Sequence, residues 1–121
     1  MKTVGYLEGT NSEVLTQLFL GGHETIPLSN GWDGHGKNIT HLSKADNIDV
    51  VIGYLHKFIP VTPAYSMTDM LTAVKVNKIP IIFIVPKDLQ ESAKKHVEET
   101  GVDYKFADPA ELGDVIMKTL K

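Results

Sequence analysis

Two largely uninterrupted runs of apolar residues constrain the fold of this chain more than any other feature. Residues 47–54 and 79–86 are rich in β-branched side chains, and their apolar residues do not alternate with polar ones. Such runs are typical of strands that are covered on both faces. Between them, four apolar residues recur at helical spacing: Met67, Met70, Leu71 and Val74. The stretch therefore predicts two parallel strands joined through a helix.

The rest of the chain repeats this alternation. We predict further strands over residues 3–7, 24–28 and 103–107, and helices that begin near Ser12, Asn38, Asp88 and Asp108. Five strands then give a three-layer α/β/α fold with a parallel sheet in the flavodoxin-like order 2-1-3-4-5. Pro27 favours an edge position for the second strand. We assign residues 1–121 to a single domain, since this length supports one core.

Composition excludes several classes of protein. The net charge of −3 gives no basic surface for nucleic acid, and the absence of cysteine excludes disulfides, thiolate metal sites and a cysteine nucleophile. No signal-peptide pattern opens the chain, and its apolar runs are too short to span a bilayer. We expect a cytoplasmic protein without cofactor, nucleic-acid partner or membrane partner, and we leave a homodimer open.

The turn after the first strand is the first candidate for ligand binding. It holds Gly9, Thr10, Asn11 and Ser12, where a strand passes into a helix. Free backbone N–H groups and the helix dipole favour an anion at such a point. The alternative is a simple helix cap and tight turn. In the predicted topology this turn faces the turn after the third strand across a crevice.

That second turn contains Tyr65, Ser66 and Asp69. Asp69 falls in the first turn of the following helix, where a carboxylate can act as a nucleophile or hold a ribose hydroxyl. The alternative is structural, because Ser66 and Asp69 have the spacing of a capping box. Among the loop histidines, His35 and His56 are candidates for acid–base chemistry, and solvated side chains are the alternative.

The loop over residues 29–37 is rich in glycine and contains Gly31, Trp32 and Asp33. Trp32 is placed to stack on a ring or to cover the crevice, or alternatively to pack over the edge of the sheet. Together with Tyr6, this loop is predicted to contact a ring or a sugar. No pair of histidines has metal-ligand spacing, so we predict no metal site.

Residues 2–9 resemble the opening strand, tyrosine and glycine turn of the nucleoside 2-deoxyribosyltransferase-like family, which includes small nucleotide N-glycosidases. Residues 49–53 resemble its central strand. Residues 65–69 fall where that family has a Gly-Thr pair followed by its nucleophilic glutamate, and Asp69 takes the place of the glutamate. The resemblance implies a phosphorylated or nucleoside-like ligand and cleavage or transfer of an N-glycosidic bond.

Two other resemblances give the alternatives. Residues 22–80 are similar to methylglyoxal synthase, with Gly9 and Thr10 at its phosphate turn and Asp33 near its catalytic aspartate, which implies a phosphate-binding domain without the full catalytic set. Residues 22–31 and 101–112 resemble segments of response-regulator receivers, but Gly53 stands at the phosphoacceptor position. That resemblance implies a protein-interaction domain that is not phosphorylated.

Overall fold

The computed structural model describes residues 2–60 and 66–120. Within that part of the chain, six strands form one sheet: β1 (Thr3–Leu7), β2 (Glu24–Ser29), β3 (Lys37–Asn38), β4 (Val50–Tyr54), β5 (Ile81–Ile84) and β6 (Tyr104–Ala107). Their order is β3-β2-β1-β4-β5-β6, and every pair of neighbours is parallel. The predicted α/β class and parallel sheet are confirmed.

The predicted strand number and order are wrong, because the sheet has six strands instead of five in the order 2-1-3-4-5. The extra strand, β3, has two residues, and it pairs with Leu28 and Ser29 at the edge of the sheet. Two residues carry no hydrophobic periodicity from which a strand can be predicted. The five longer strands follow one another as β2-β1-β4-β5-β6.

Five α-helices lie in the described residues: α1 (Ser12–Leu20), α2 (Met67–Met70), α3 (Thr72–Val76), α4 (Gln90–Glu98) and α5 (Leu112–Thr119). The single helix expected around residues 67–74 is thus interrupted at Leu71. The helix predicted from Asn38 is wrong, since two 3-10 turns, Ile39–His41 and Lys44–Asp46, occupy the region. Ser43 between them has an extended backbone. None of these helices has the length and apolar character needed to cross a bilayer.

The helix caps show how much local sequence determines. Asn11 caps α1 by accepting a hydrogen bond from the Glu13 N–H at 2.7 Å, and Gly21 ends the helix. Asp108, predicted to cap the last helix, accepts from the Ala110 N–H at 3.0 Å and caps the 3-10 turn Pro109–Glu111, and α5 starts only at Leu112. The capping box expected at Asp88 does not form, because residues Lys87–Leu89 make a 3-10 turn before α4 starts.

Strand residues alternate between two apolar layers. One face of the sheet buries Leu7, Val51 and Phe83 against side chains of α2, α3 and α4. The opposite face buries Val4 and Ile52 against α1 and α5. Helices therefore cover both faces, which confirms the three layers and explains why the central strands are apolar throughout. Each such fully buried side chain contributes about 1.5–3 kcal/mol.

Candidate functional site

The strand order reverses between β1 and β4. The chain runs from β1 to β2 on one side of the sheet and later returns to β4 on the other side of β1. Ligands in open parallel sheets bind outside the carboxyl ends of the strands at such a reversal. Here the two flanking segments are the turn at Gly9 and the 3-10 turn Leu55–Phe58.

Phe58 anchors the turn that follows β4. Its side chain is fully buried, and its ring packs edge-on against Phe83 with the ring centroids 4.9 Å apart. Gly53 makes room for this ring, because a Cβ at Gly53 would lie only 3.0 Å from Phe58 Cε2. The buried phenylalanine thereby fixes the positions of His56 and Lys57, which precede it.

Lys57 bridges the loops after three strands. Its ammonium group lies 3.8 Å from the Glu8 carboxylate, and its backbone carbonyl accepts a hydrogen bond from Asn30 Nδ2 at 3.0 Å. The side chain passes Gly9, where a Cβ would lie 3.7 Å from Lys57 Cε. Residues from the carboxyl ends of β1 and β2 therefore both contact Lys57 after β4, Glu8 through the ammonium group and Asn30 through the backbone carbonyl. Lys57 was not predicted from the sequence, although a lysine three residues after the central strand is a signal for this position.

Asp33 holds the loop after β2 in shape. Its Oδ1 accepts hydrogen bonds from the Ser29 hydroxyl at 2.9 Å and from the His35 N–H at 3.1 Å. The Ser29 hydroxyl in turn accepts from the Gly31 N–H. The other oxygen, Asp33 Oδ2, is buried and has no hydrogen-bond partner among the described residues. In this structure Asp33 positions its neighbours, and its Oδ2 is not presented to solvent.

Tyr6 and His35 form the aromatic part of the site. Their rings meet edge-on, with centroids 5.4 Å apart. His35 Nδ1 lies 3.1 Å from the carbonyl oxygen of Leu28. Because a carbonyl oxygen only accepts, Nδ1 carries the proton in that hydrogen bond. In the neutral ring, Nε2 is then left as a hydrogen-bond acceptor.

The side chains of Thr10 and Asn11 in the first turn form hydrogen bonds with the backbone. The Thr10 hydroxyl donates to the Leu7 carbonyl at 2.7 Å, and the Asn11 side chain caps α1. Ser12 is exposed and begins the helix, and its carbonyl accepts from the Thr16 hydroxyl. These contacts agree with the cap-and-turn alternative, while anion binding at this turn stays a prediction.

Ser66 and Asp69 form a complete capping box at α2. The Asp69 carboxylate accepts from the Ser66 N–H at 3.0 Å and from its hydroxyl at 2.9 Å, and the Asp69 N–H donates to Ser66 Oγ. These hydrogen bonds from the Ser66 N–H and hydroxyl lower the pKa of Asp69 below its usual value near 3.8. The geometry is that of the structural alternative, and a catalytic role for Asp69 stays a prediction.

The predicted site residues therefore fall into two groups. Gly9 and Asn30 lie against Lys57, and Tyr6 contacts His35 in the loop over residues 29–37. Within residues 2–60 and 66–120, no hydrogen bond or ion pair joins Asp69 to that group. Tyr65 lies outside the described residues, and Trp32 is 43% exposed in the loop after β2.

Two open cavities lie beyond the turn Leu55–Phe58. Ser66 lines one of about 430 Å³ together with His96 and Glu99. His56 lines the other, of about 510 Å³, which also reaches His96. The acid–base role of His56 stays a prediction. No cluster of three or more histidine, aspartate or glutamate side chains fit for a metal ion occurs in the part of the chain that the structure describes.

Neither the models of known protein families nor the curated protein sequences give a match to this chain. The three resemblances noted above therefore rest on short stretches of residues. What they have in common with the structure is the parallel α/β fold.

Proposed function

We propose that the protein binds a small phosphorylated or nucleoside-like molecule at the carboxyl edge of the sheet, over the gap between β1 and β4. The observation that carries this proposal is the position of Lys57 between Glu8, Gly9 and Asn30. It supplies a positive charge at the reversal of strand order, where open parallel sheets bind ligands.

The ion pair with Glu8 leaves Lys57 available to a ligand. At 3.8 Å the pair is long, and the Glu8 side chain is 48% exposed. Ion pairs of this kind contribute only about 0–1 kcal/mol. A phosphate can replace the Glu8 carboxylate and form shorter, charge-assisted hydrogen bonds with the ammonium group.

The other residues of the group match the remaining parts of such a ligand. Tyr6 and His35 offer ring edges and faces for a base or a sugar. Gly9 has no side chain, so a ligand can approach the backbone of its turn closely. Asp33 acts as a positioning residue, because it holds the backbone of His35.

A thermal-shift panel of nucleoside 5′-monophosphates, 2′-deoxynucleosides and inorganic phosphate tests this proposal. A ligand at ten times its Kd stabilises the protein by about 1.4 kcal/mol, which raises Tm by about 5 °C. The variant Lys57→Met is expected to lose this shift. Lys87→Met is the matched control, since Lys87 pairs at 3.5 Å with Glu111 after a different strand. A panel without any shift for the wild type contradicts the proposal.

Cleavage of an N-glycosidic bond is the reaction we propose to test. The Asp69 carboxylate would bond to the anomeric carbon while the base leaves with a proton from a general acid, for which His56 is the candidate. Water would then hydrolyse the glycosyl ester. Release of free base from deoxynucleosides or nucleotides by the wild type, and its loss in Asp69→Asn, supports this reaction. Equal release by both proteins excludes Asp69 as the nucleophile.

A protein-interaction domain is the second candidate, and two side chains favour it. Phe19 and Leu20, at the end of α1, are 72% and 76% exposed. Adjacent large apolar side chains on the surface often mark protein contacts. If the protein self-associates through them, sedimentation velocity shows a dimer for the wild type and a monomer for the variant Phe19→Ser/Leu20→Ser. A monomer for both excludes a homodimer at this surface.

A further inference from the structure

The larger of the two cavities beyond β4 has the dimensions of a separate binding site. It lies between the turn Leu55–Phe58 and the start of α4, and its floor is formed by Ile84 and Val85 at the end of β5. Its volume of about 510 Å³ falls within the range of roughly 300–1,000 Å³ for small-molecule sites. Like the site around Lys57, it is located at the carboxyl ends of parallel strands.

Large apolar side chains from two different loops border this cavity. Ile59 follows the turn after β4, and Leu89 ends the turn after β5. Each is 53% exposed. Apolar side chains that stay in water do not gain the full free energy of burial. Exposed apolar patches within a concave surface mark ligand-binding grooves.

The polar side chains of the cavity are all hydrogen-bond donors. Among the described residues that line it, these are Tyr54, His56, Ser92 and His96, and none of the lining residues is acidic. Glu99 belongs to the neighbouring cavity. Imidazole, phenol and hydroxyl groups all donate to an anionic oxygen. The cavity therefore combines apolar walls with groups that can donate to an anionic oxygen, and no carboxylate that would repel one lines it among the described residues.

We infer that this cavity binds an aromatic acid. The ring lies between Leu55 and Ile59 on one side and Leu89 on the other, and the anionic group lies against His56 and His96. This inference is separate from the proposed binding at Lys57, since neither Lys57 nor its neighbours Glu8 and Gly9 line the cavity, and it shares only His56 with the proposed reaction.

Fluorescence titration with 8-anilinonaphthalene-1-sulfonate tests the inference, with N-phenyl-1-naphthylamine as the same ring system without the anionic group. We expect the sulfonate to bind at one site per chain and more tightly than the uncharged compound. The variant His56→Leu/His96→Leu removes these donors and is expected to weaken sulfonate binding about tenfold. Binding of the uncharged compound is expected to remain unchanged in that variant.

A pair of matched substitutions locates the bound probe. Leu89→Asp places a carboxylate at the border of the cavity and is expected to weaken sulfonate binding by at least about tenfold. Leu20→Asp makes the same change on the exposed end of α1 and is expected to leave binding unchanged. Far-UV circular dichroism confirms that both variants fold.

Three results overturn the inference. They are the absence of saturable binding of the sulfonate, binding that Leu20→Asp weakens more than Leu89→Asp, and equal loss of both probes in His56→Leu/His96→Leu. The last result would show that the two imidazoles do not recognise the anionic group.

Discussion

The ammonium group of Lys57 lies 3.8 Å from the carboxylate of Glu8, across the gap between the carboxyl ends of β1 and β4. The two residues are far apart in sequence, and they meet because β4 pairs with β1 in parallel. At the reversal of strand order, this contact occupies the place where a ligand anion is expected. In the proposed binding, Glu8 would therefore compete with the ligand for Lys57.

Replacing Glu8 tests that competition. We expect Glu8→Gln to bind a phosphorylated ligand about two- to fivefold more tightly than the wild type, because the ligand no longer displaces a carboxylate. Glu24→Gln is the control, since Glu24 is an exposed acid at the opposite end of the sheet. Isothermal titration calorimetry measures both affinities. Unchanged or weaker binding by Glu8→Gln shows that the carboxylate does not compete.

Alanine substitutions at two glycines of the loop after β2 are expected to lower the free energy of unfolding by different amounts. Gly34 and Gly36 both have positive φ, at +64° and +93°. A Cβ at Gly36 would clash with the carbonyl of Pro27, whereas Gly34 faces open space. In urea unfolding we expect Gly34→Ala to lose about 1 kcal/mol and Gly36→Ala about 3 kcal/mol. Equal losses would show that the return of the chain into β3 is not tightly packed.

Two substitutions of Asp33 are expected to differ in their effect on the free energy of unfolding. Asp33→Ala removes the acceptor for the Ser29 hydroxyl and the His35 N–H, and we expect a loss of about 1–3 kcal/mol in the free energy of unfolding. Asp33→Asn keeps an oxygen in that place and removes the charge from the buried, unpartnered Oδ2. We expect Asp33→Asn to be as stable as the wild type at neutral pH. If it loses as much as Asp33→Ala, the Oδ2 oxygen has a partner.

The capping box at α2 predicts a dependence on pH. The pKa of Asp69 is lowered by hydrogen bonds from Ser66 to its carboxylate. A lowered pKa in the folded state stabilises the protein above the ordinary value near 3.8, and this contribution is lost as the pH falls through the folded pKa. The stability difference between wild type and Asp69→Asn is therefore expected to shrink below that pH. Asp88→Asn is the control, and denaturant unfolding between neutral pH and about 2.5 covers the range. A difference that persists or grows at acid pH contradicts the assignment.

Much of the fold could be predicted from hydrophobic periodicity and from helix-capping residues in the sequence. Apolar runs such as residues 79–86 predict covered strands, and Asn11 and Asp108 predict helix starts, because both signals act over a few neighbouring residues. The strand β3 could not be predicted from the sequence, because it exists only through pairing with Leu28 and Ser29. The candidate site was predicted less well, since Lys57 gains its role from Glu8 and Asn30, which tertiary structure alone brings close.

The most direct test is a map of amide chemical-shift changes, recorded on the ¹⁵N-labelled protein during titration with the best ligand of the nucleotide panel. If the ligand binds at Lys57, we expect saturable shifts at Gly9, Asn30, His35 and Lys57. These shifts are expected to vanish in Lys57→Met and to persist in Lys87→Met. Shifts confined to other surfaces, such as the end of α1, or the absence of any saturable shift would contradict a ligand site over the gap between β1 and β4.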